Sequence, residues 1–478
     1  MGSDVDAWAH RVLVAATGGT AVPPAWLERR LDGGLGGVCL FGRNVVDAGQ
    51  VRGFTDALRG VRPDVLVCLD EEGGDVTRLH HAAGSPHLGA LALAATGDPA
   101  VTRATATSIG NALTAAGVDW NLAPVADVPA SARSPVLGVR AFGSRAADVA
   151  RHVAAYIEGL SATGVLGCAK HFPGHGATDA DSHTDLPRID LGRQRLDEVD
   201  LVPFRAAVDA GVETVMLGHL VVEALDPRLP ASLSPAAVRL LRDELEFGGL
   251  IVTDALDMDA VARTWTIPGA AALAIRAGAD AVCVSGGRHD DEIVDACVRS
   301  LVDAVKGGTL SAERLADAAG RVAAVASRPR VHARSDDDGP DDVTGDAGHR
   351  SLRVRGWPEL PPGPLDVVVR SGPANIAVGK VPWHPGPLLA GARPGTAVHT
   401  GAVSLSPGRP LVVVVRDLHR HPDLQRDVAR LVAGCPDAVV VEMGVPVLDP
   451  GGRAWVCTSG ASAASAAAVT RLLLGMTA

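Results

Sequence analysis

Short apolar, β-branched runs recur through the first part of the chain, at 12–16, 37–40, 65–69, 118–122, 165–169, 212–217, 250–253 and 281–284. Between them lie Ala-, Leu- and Arg-rich stretches with apolar residues at helical spacing, as at 147–161 and 197–210. Strand and helix therefore alternate, and the alternation predicts parallel pairing, because parallel strands need crossover helices. Eight βα units match the count and the ~250-residue size of a (β/α)8 TIM-type barrel. An open, doubly wound sheet would place a Gly-x-Gly-x-x-Gly turn after an early strand. Here the glycines at 33–37 precede their strand and do not match that spacing.

From about Ser327 the pattern stops: the segment is charged, bears Pro and Gly, and has no apolar period. Its acidic run Asp336–Asp338 lacks the spacing of a calcium loop and reads as solvated linker. Apolar runs return at 365–370, 411–416, 438–442 and 454–458, with helices predicted at 424–433 and 461–474. The expected organisation is a catalytic barrel over 1–327, a linker over 328–363 and a smaller C-terminal α/β domain over 364–478. No repeat of 20–50 residues interrupts it.

Composition changes the picture in several ways. Apolar residues make up 47% and charged residues 21%, a globular balance that excludes global disorder. The net charge of −11, without a basic run, argues against nucleic acid or an anionic membrane as partner. No apolar stretch is long enough to span a bilayer, and the N-terminus is acidic where a secretion signal would be basic, so a cytoplasmic location is expected. The seven cysteines show no Cys-x-x-Cys and sit mostly in apolar runs, which predicts buried thiols. Only three lysines occur beside 41 arginines, so Lys170, next to a histidine cluster, carries more information than a lysine usually does.

In a (β/α)8 barrel the active site is built from residues that follow the strands. Polar residues fall there: 41–44, 70–74 and Arg78, then Pro124, Asp127 and Arg140, then 170–176 and 181–183, then His219, then 254–258. Between Lys170 and His183 the chain holds three histidines, two of them, His171 and His175, flanking Pro173. That proline prevents the pair from being an i, i+4 helical zinc motif, although a metal site from His171, His175, Asp181 and His183 stays conceivable. If Asp181 accepts a hydrogen bond from one His183 nitrogen, it fixes the tautomer and leaves the other nitrogen to move a proton near neutral pH. Asp254, directly after the 250–253 run, is placed to attack an electrophilic carbon; the bland alternative is a cap for the next helix. A carboxylate nucleophile opposite a proton donor is the equipment of retaining glycoside hydrolysis. Asp70, Arg78, Arg140, Lys170 and His171 offer directional hydrogen bonds to hydroxyl and amide groups, and the 3% aromatic content favours a pocket for one sugar over a long stacked groove.

These residues resemble glycoside hydrolase family 3, specifically its β-N-acetylglucosaminidases of the peptidoglycan-recycling kind. The resemblance covers roughly residues 10–290. It rests on Asp70-x-Glu72-Gly73-Gly74, Asn121-x-x-Pro124-Val125-x-Asp127-Val128, Arg140-x-Phe142-Gly143, Lys170-His171-Phe172-Pro173-Gly174-His175-Gly176, Asp181-Ser182-His183 and Thr253-Asp254-x-x-Asp257-Met258. It implies that Asp254 is the nucleophile, that His183 with Asp181 is the acid/base, and that Asp70, Arg78, Arg140, Lys170 and His171 bind N-acetylglucosamine. It also implies no metal and no cofactor. Two positions depart from the family pattern: Asp75 stands where Arg is usual, and Ala255 replaces a frequent acid. The C-terminal stretches 413–417 and 442–446 resemble the α/β domain of some members, with no role attached.

The resulting expectation is a cytoplasmic, retaining exo-β-N-acetylglucosaminidase that releases terminal N-acetylglucosamine, from muropeptide fragments, with a small carbohydrate as its only expected partner. A phosphorylase using the same residues is the nearest alternative, because a neutral imidazole does not repel an anionic acceptor as a second carboxylate would. A non-catalytic sugar-binding or sensory protein on the same fold is the other. The sequence does not address oligomeric state.

Overall fold

The structure is a computed structural model and describes residues 2–132, 134, 136–178, 182, 184–284, 291–329, 343–373 and 378–476. The eight expected strands are present as β1 (Leu13–Ala16), β2 (Gly37–Cys39), β3 (Leu66–Leu69), β4 (Trp120–Asn121), β5 (Cys168–Phe172), β6 (Thr214–Leu217), β7 (Leu250–Thr253) and β8 (Val282–Cys283). One parallel sheet runs β8-β1-β2-β3-β4 and a second runs β5-β6-β7. Parallel bridges Trp120 to Leu166 and Val125 to Lys170 join β4 to β5, and Val252 to Ala281 joins β7 to β8. The protein is thus an α/β fold of parallel strands, consistent with a (β/α)8 barrel.

Alternation within the strands explains why they are apolar on both faces. Val14, Cys39, Leu66, Cys68, Trp120, Cys168, Met216, Val252 and Cys283 form one buried cluster. Their neighbours Leu13, Ala15, Val38, Val67, Leu69, Val215 and Ile251 pack into another with the surrounding helices. The cysteines are free thiols, six of them buried, as their apolar settings predict. Trp120 is buried with its indole nitrogen satisfied by Thr214 Oγ1 at 2.9 Å.

Two expectations for the barrel-like part need correction. The fifth strand was expected at 165–169 with Lys170 and His171 in the following loop; both lie inside β5, which carries a register shift between Ala169 and Phe172. Hydropathy conceals this because Lys170 is polar yet buried, its charge neutralised within the fold, while Phe172 packs edge-on to Phe204. The single helix expected over 197–210 is broken into a wide turn at Leu196–Asp200 and a helix Val202–Asp209, which Pro203 starts.

Beyond the barrel-like part, a six-stranded sheet has the order β9 (Arg353–Gly356), β14 (Ala454–Cys457), β13 (Val439–Glu442), β12 (Leu411–Arg416), β10 (Asp366–Ser371), β11 (Ala397–His399). All its pairings are parallel except β9 with β14. The stretch expected to be linker contributes both β9 and a helix Val343–Arg350. Every residue of β9 is exposed, so no apolar period marks it. No helix among the described residues is long and apolar enough to cross a membrane.

Candidate active site

The strand ends converge on a cavity of about 520 Å³. Asp70, Glu72 and Arg78 reach it from the chain after β3, Arg140 from the short turn Gly138–Arg140, Lys170 and His171 from β5, and Asp254, Asp257 and Met258 from the chain after β7. The apolar part of its wall includes Cys39, Leu122, Met216 and Cys283 from the inner layer of the strands. Phe41 is the one Phe, Tyr or Trp among the described lining residues, and the Arg43 guanidinium lies over its ring at 4.5 Å. A cavity of similar size, about 510 Å³, lies on the other side of the 138–145 segment but holds none of the expected site residues, so chemistry and not volume marks the site.

The centre of the site is a buried array of paired charges. Lys170 Nζ lies 2.7 Å from Asp70 Oδ1 and 2.8 Å from Glu72 Oε1. Arg140 grips Glu72 with two bonds, Nε to Oε2 at 2.9 Å and Nη2 to Oε1 at 2.7 Å, and Arg78 donates to Asp70 Oδ2 at 3.2 Å. Burial pushes both carboxyls up, but the cations more than offset it, so Glu72 is held down at about 2 and Asp70 is well below the usual carboxylate range. Burial likewise lowers Lys170, and Asp70 and Glu72 reverse that, leaving its pKa raised. The array keeps fixed charges across the physiological range, which suits it to orient hydroxyl and amide groups and not to move protons.

Glu71, between these acids, does the opposite. Its side-chain Oε2 accepts from the backbone amides of Arg78 and Leu79, and Asn121 brackets its backbone from both sides. Tyr156 OH donates to the Glu71 carbonyl at 2.9 Å. Burial raises the Glu71 pKa to about 7, and the hydrogen bonds its carboxylate accepts and the Arg78 charge offset only part of that. The turn that follows requires glycine: φ is +83° at Gly73 and +59° at Gly74, and a Cβ on Gly74 would lie 2.5 Å from the Gly89 Cα.

His171 and Asp127 form a second buried pair. Asp127 Oδ2 lies 2.7 Å from His171 Nδ1, while Oδ1 accepts from the His175 amide at 2.7 Å and the His171 amide at 3.2 Å. Burial raises the Asp127 carboxyl, and His171 overcomes it, so the pKa ends lowered. The carboxylate therefore directs the other His171 nitrogen. Asp127→Asn keeps the shape but loses charge and an acceptor. A charge-assisted hydrogen bond is worth about 1.5–3 kcal/mol, so kcat/KM should fall ~10- to 100-fold. Steady-state kinetics check this, and an unchanged value would remove Asp127 from the site.

Asp254 directly follows β7. Its amide donates to the Leu217 carbonyl at 3.0 Å, continuing the ladder, and its Oδ1 accepts from the Ala255 amide at 2.8 Å. His219 is fully buried behind it, bonded through Nδ1 to Ser232 Oγ and through Nε2 to the Ala255 carbonyl. Asp181 and His183 lie outside the described residues, as does the metal alternative that needed them. Ser182, between the two, is described: it lines the cavity and its Oγ is 3.2 Å from His175 Nε2.

Thus six of the expected residues, Asp70, Arg78, Arg140, Lys170, His171 and Asp254, line one cavity. Glu72 and Asp127 were placed among the strand-end polar residues but given no role, yet they hold Arg140, Lys170 and His171 in place. Strand periodicity could have found Glu72, since residues two apart share a face. Val378 and Gly379, from the chain after β10, also line the cavity, which nothing in their sequence signals.

A strand-end carboxylate, Asp254, thus shares one cavity with a fixed array of hydrogen-bonding charges. The chain belongs to glycosyl hydrolase family 3, whose N-terminal domain model matches residues 26–325. It is 38% identical over 276 residues to a beta-hexosaminidase of Alkalilimnicola ehrlichii, an alignment covering 56% of this chain and 78% of that protein. The structure of a family 3 beta-N-acetylglucosaminidase from a Paenibacillus species superposes with a TM-score of 0.86 at 29% identity, covering 99% of this chain and 97% of the other. A beta-glucoside phosphorylase shares the fold, with a TM-score of 0.80 at 19% identity over 98% of this chain and 92% of its own.

Proposed function

We propose that the protein is a retaining exo-β-N-acetylglucosaminidase, acting on terminal N-acetylglucosamine of muropeptide fragments in the cytoplasm, with a (β/α)8 barrel as its catalytic unit and the six-stranded sheet as a separate C-terminal domain. The observation that carries it is the shared cavity: Asp254 lines the same cavity as Asp70, Arg78, Arg140 and Lys170 in a family 3 chain related to beta-hexosaminidases. An Asp254 oxygen attacks the anomeric carbon as the glycosidic bond breaks, and His183, oriented by Asp181, gives its proton to the leaving oxygen. Water then attacks the same carbon, His183 takes its proton, and the ester to Asp254 is released. What supports His183 in this role is the lining position of its neighbour Ser182.

The test is turnover of para-nitrophenyl N-acetyl-β-glucosaminide by purified protein with and without phosphate, with the sugar product identified by mass. Free N-acetylglucosamine in both cases is the expected result. An anomeric sugar phosphate in the second would make the protein a phosphorylase, and binding of the sugar without turnover of this or a muropeptide substrate would leave a sensory role.

A further inference from the structure

Asp75 lies at the tip of a tight turn whose base is Glu72. The Glu72 amide donates to the Val76 carbonyl at 3.0 Å, and Gly73 bridges to Val76. Asp75 is 2% exposed, and its partners come from the C-terminal sheet. Its Oδ1 accepts from the Ala461 amide at 2.6 Å, and its Oδ2 is ion-paired with Arg416, the last residue of β12.

The C-terminal side of this contact is built by the two stretches that the family resemblance left without a role. Glu442, at the end of β13, accepts from the amides of Asp417, Leu418 and Gly444, and Asp417 Oδ1 accepts from the Val445 amide. The chain segments after β12 and β13 are thereby tied together, and Arg416 is fixed at their junction. After β14, Ser459 and Gly460 both have positive φ, and Thr458 Oγ1 donates to the Gly460 carbonyl, which turns the Ala461 amide toward Asp75. A Cβ on Gly460 would lie 3.2 Å from Asp75 Oδ1, so a side chain there would crowd the contact.

We propose that Asp75 is a positioning residue for sugar binding: the C-terminal sheet, through Arg416 and the Ala461 amide, fixes the 72–76 turn and so the Glu72 carboxylate that orients Arg140 and Lys170. The inference rests on the reading of that array as the sugar site. It makes the C-terminal sheet part of the substrate-binding machinery, acting through the two glycines, Gly73 and Gly74, between Glu72 and Asp75. A buried carboxylate that loses its cation must protonate or move, and either change relaxes the turn.

Arg416→Met tests this. The expected result is an about tenfold rise in KM for the aryl glycoside with kcat within about threefold, because the array binds without moving protons. Amide hydrogen exchange should accelerate in residues 70–79 ahead of the rest of the barrel-like part. Adding Asp75→Asn, which removes the unpaired charge and keeps an acceptor for the Ala461 amide, should recover part of the loss. Unchanged KM would overturn the proposal, as would exchange accelerated uniformly, since both describe a seam that only holds two parts together. If the wild type turns over no N-acetylglucosaminide, the sugar reading fails, while local exchange at 70–79 still decides whether Arg416 fixes the turn.

Discussion

Asp254→Ala is expected to reduce turnover of an aryl N-acetyl-β-glucosaminide by at least ~1,000-fold, because in the proposed mechanism Asp254 is the covalent nucleophile and its removal abolishes the intermediate and not merely a contact. The fold should survive. The Asp254 amide bond to Leu217 belongs to the backbone and is retained, and the side chain gives up the hydrogen bond it accepts from the Ala255 amide. Loss of such a bond costs about 0.5–1.5 kcal/mol, so thermal unfolding should shift by only a few degrees. The variant also leaves a vacancy beside the anomeric carbon. Azide entering there should restore turnover and yield the glycosyl azide of inverted configuration, since one displacement replaces two. Wild-type-like turnover in Asp254→Ala would refute the assignment; loss of activity with no azide rescue and a collapsed melting transition would trace the defect to folding.

What the sequence made legible follows from locality. Strands β1, β2, β3, β6 and β7 were readable because each is buried on both faces, and after β2, β3, β6 and β7 the polar residues that follow stood out against that background. Asp254 is the clearest case, four apolar or small residues and then a carboxylate. Lys170 defeated the same logic, since a charged residue neutralised inside the fold looks like a loop residue from hydropathy alone. β9 defeated it from the other side, because an exposed edge strand with arginines at 353 and 355 has no apolar stripe. The acids at 70–72 show what periodicity adds: Asp70 and Glu72 turn to Lys170, while Glu71 turns to the amides of Arg78 and Leu79. Asp75 had no local explanation at all, and its partners, Arg416 and Ala461, come from the far end of the chain. Pairings made only by the tertiary fold leave no mark in a window of neighbouring residues.

Lys170→Met should be the most destabilising single change at the site, by about 3–5 kcal/mol, which is the cost of leaving buried charges without their partner. The Lys170 side chain is 3% exposed, and Asp70 and Glu72, at 18% and 7%, have little water to turn to. Arg140 and Arg78 remain, so the carboxylates are not wholly orphaned; the site nonetheless goes from three cations facing two anions to two. The pH dependence carries a definite sign. Glu72 titrates near 2 in the fold against an ordinary 4.5, and Asp70 is displaced in the same direction. Groups depressed by folding stabilise above their unfolded pKa, and that stabilisation is lost as pH falls through the folded values. The stability gap between wild type and Lys170→Met should therefore be widest at neutral pH and should narrow as the pH drops from about 4.5 toward about 2. Denaturant unfolding of both proteins at a series of pH values measures the gap directly. A gap that stays constant across that window would mean that Lys170 contributes packing of its methylene stem and not charge, and the account of Glu72 and Asp70 as carboxylates held ionised by their cations would fall with it.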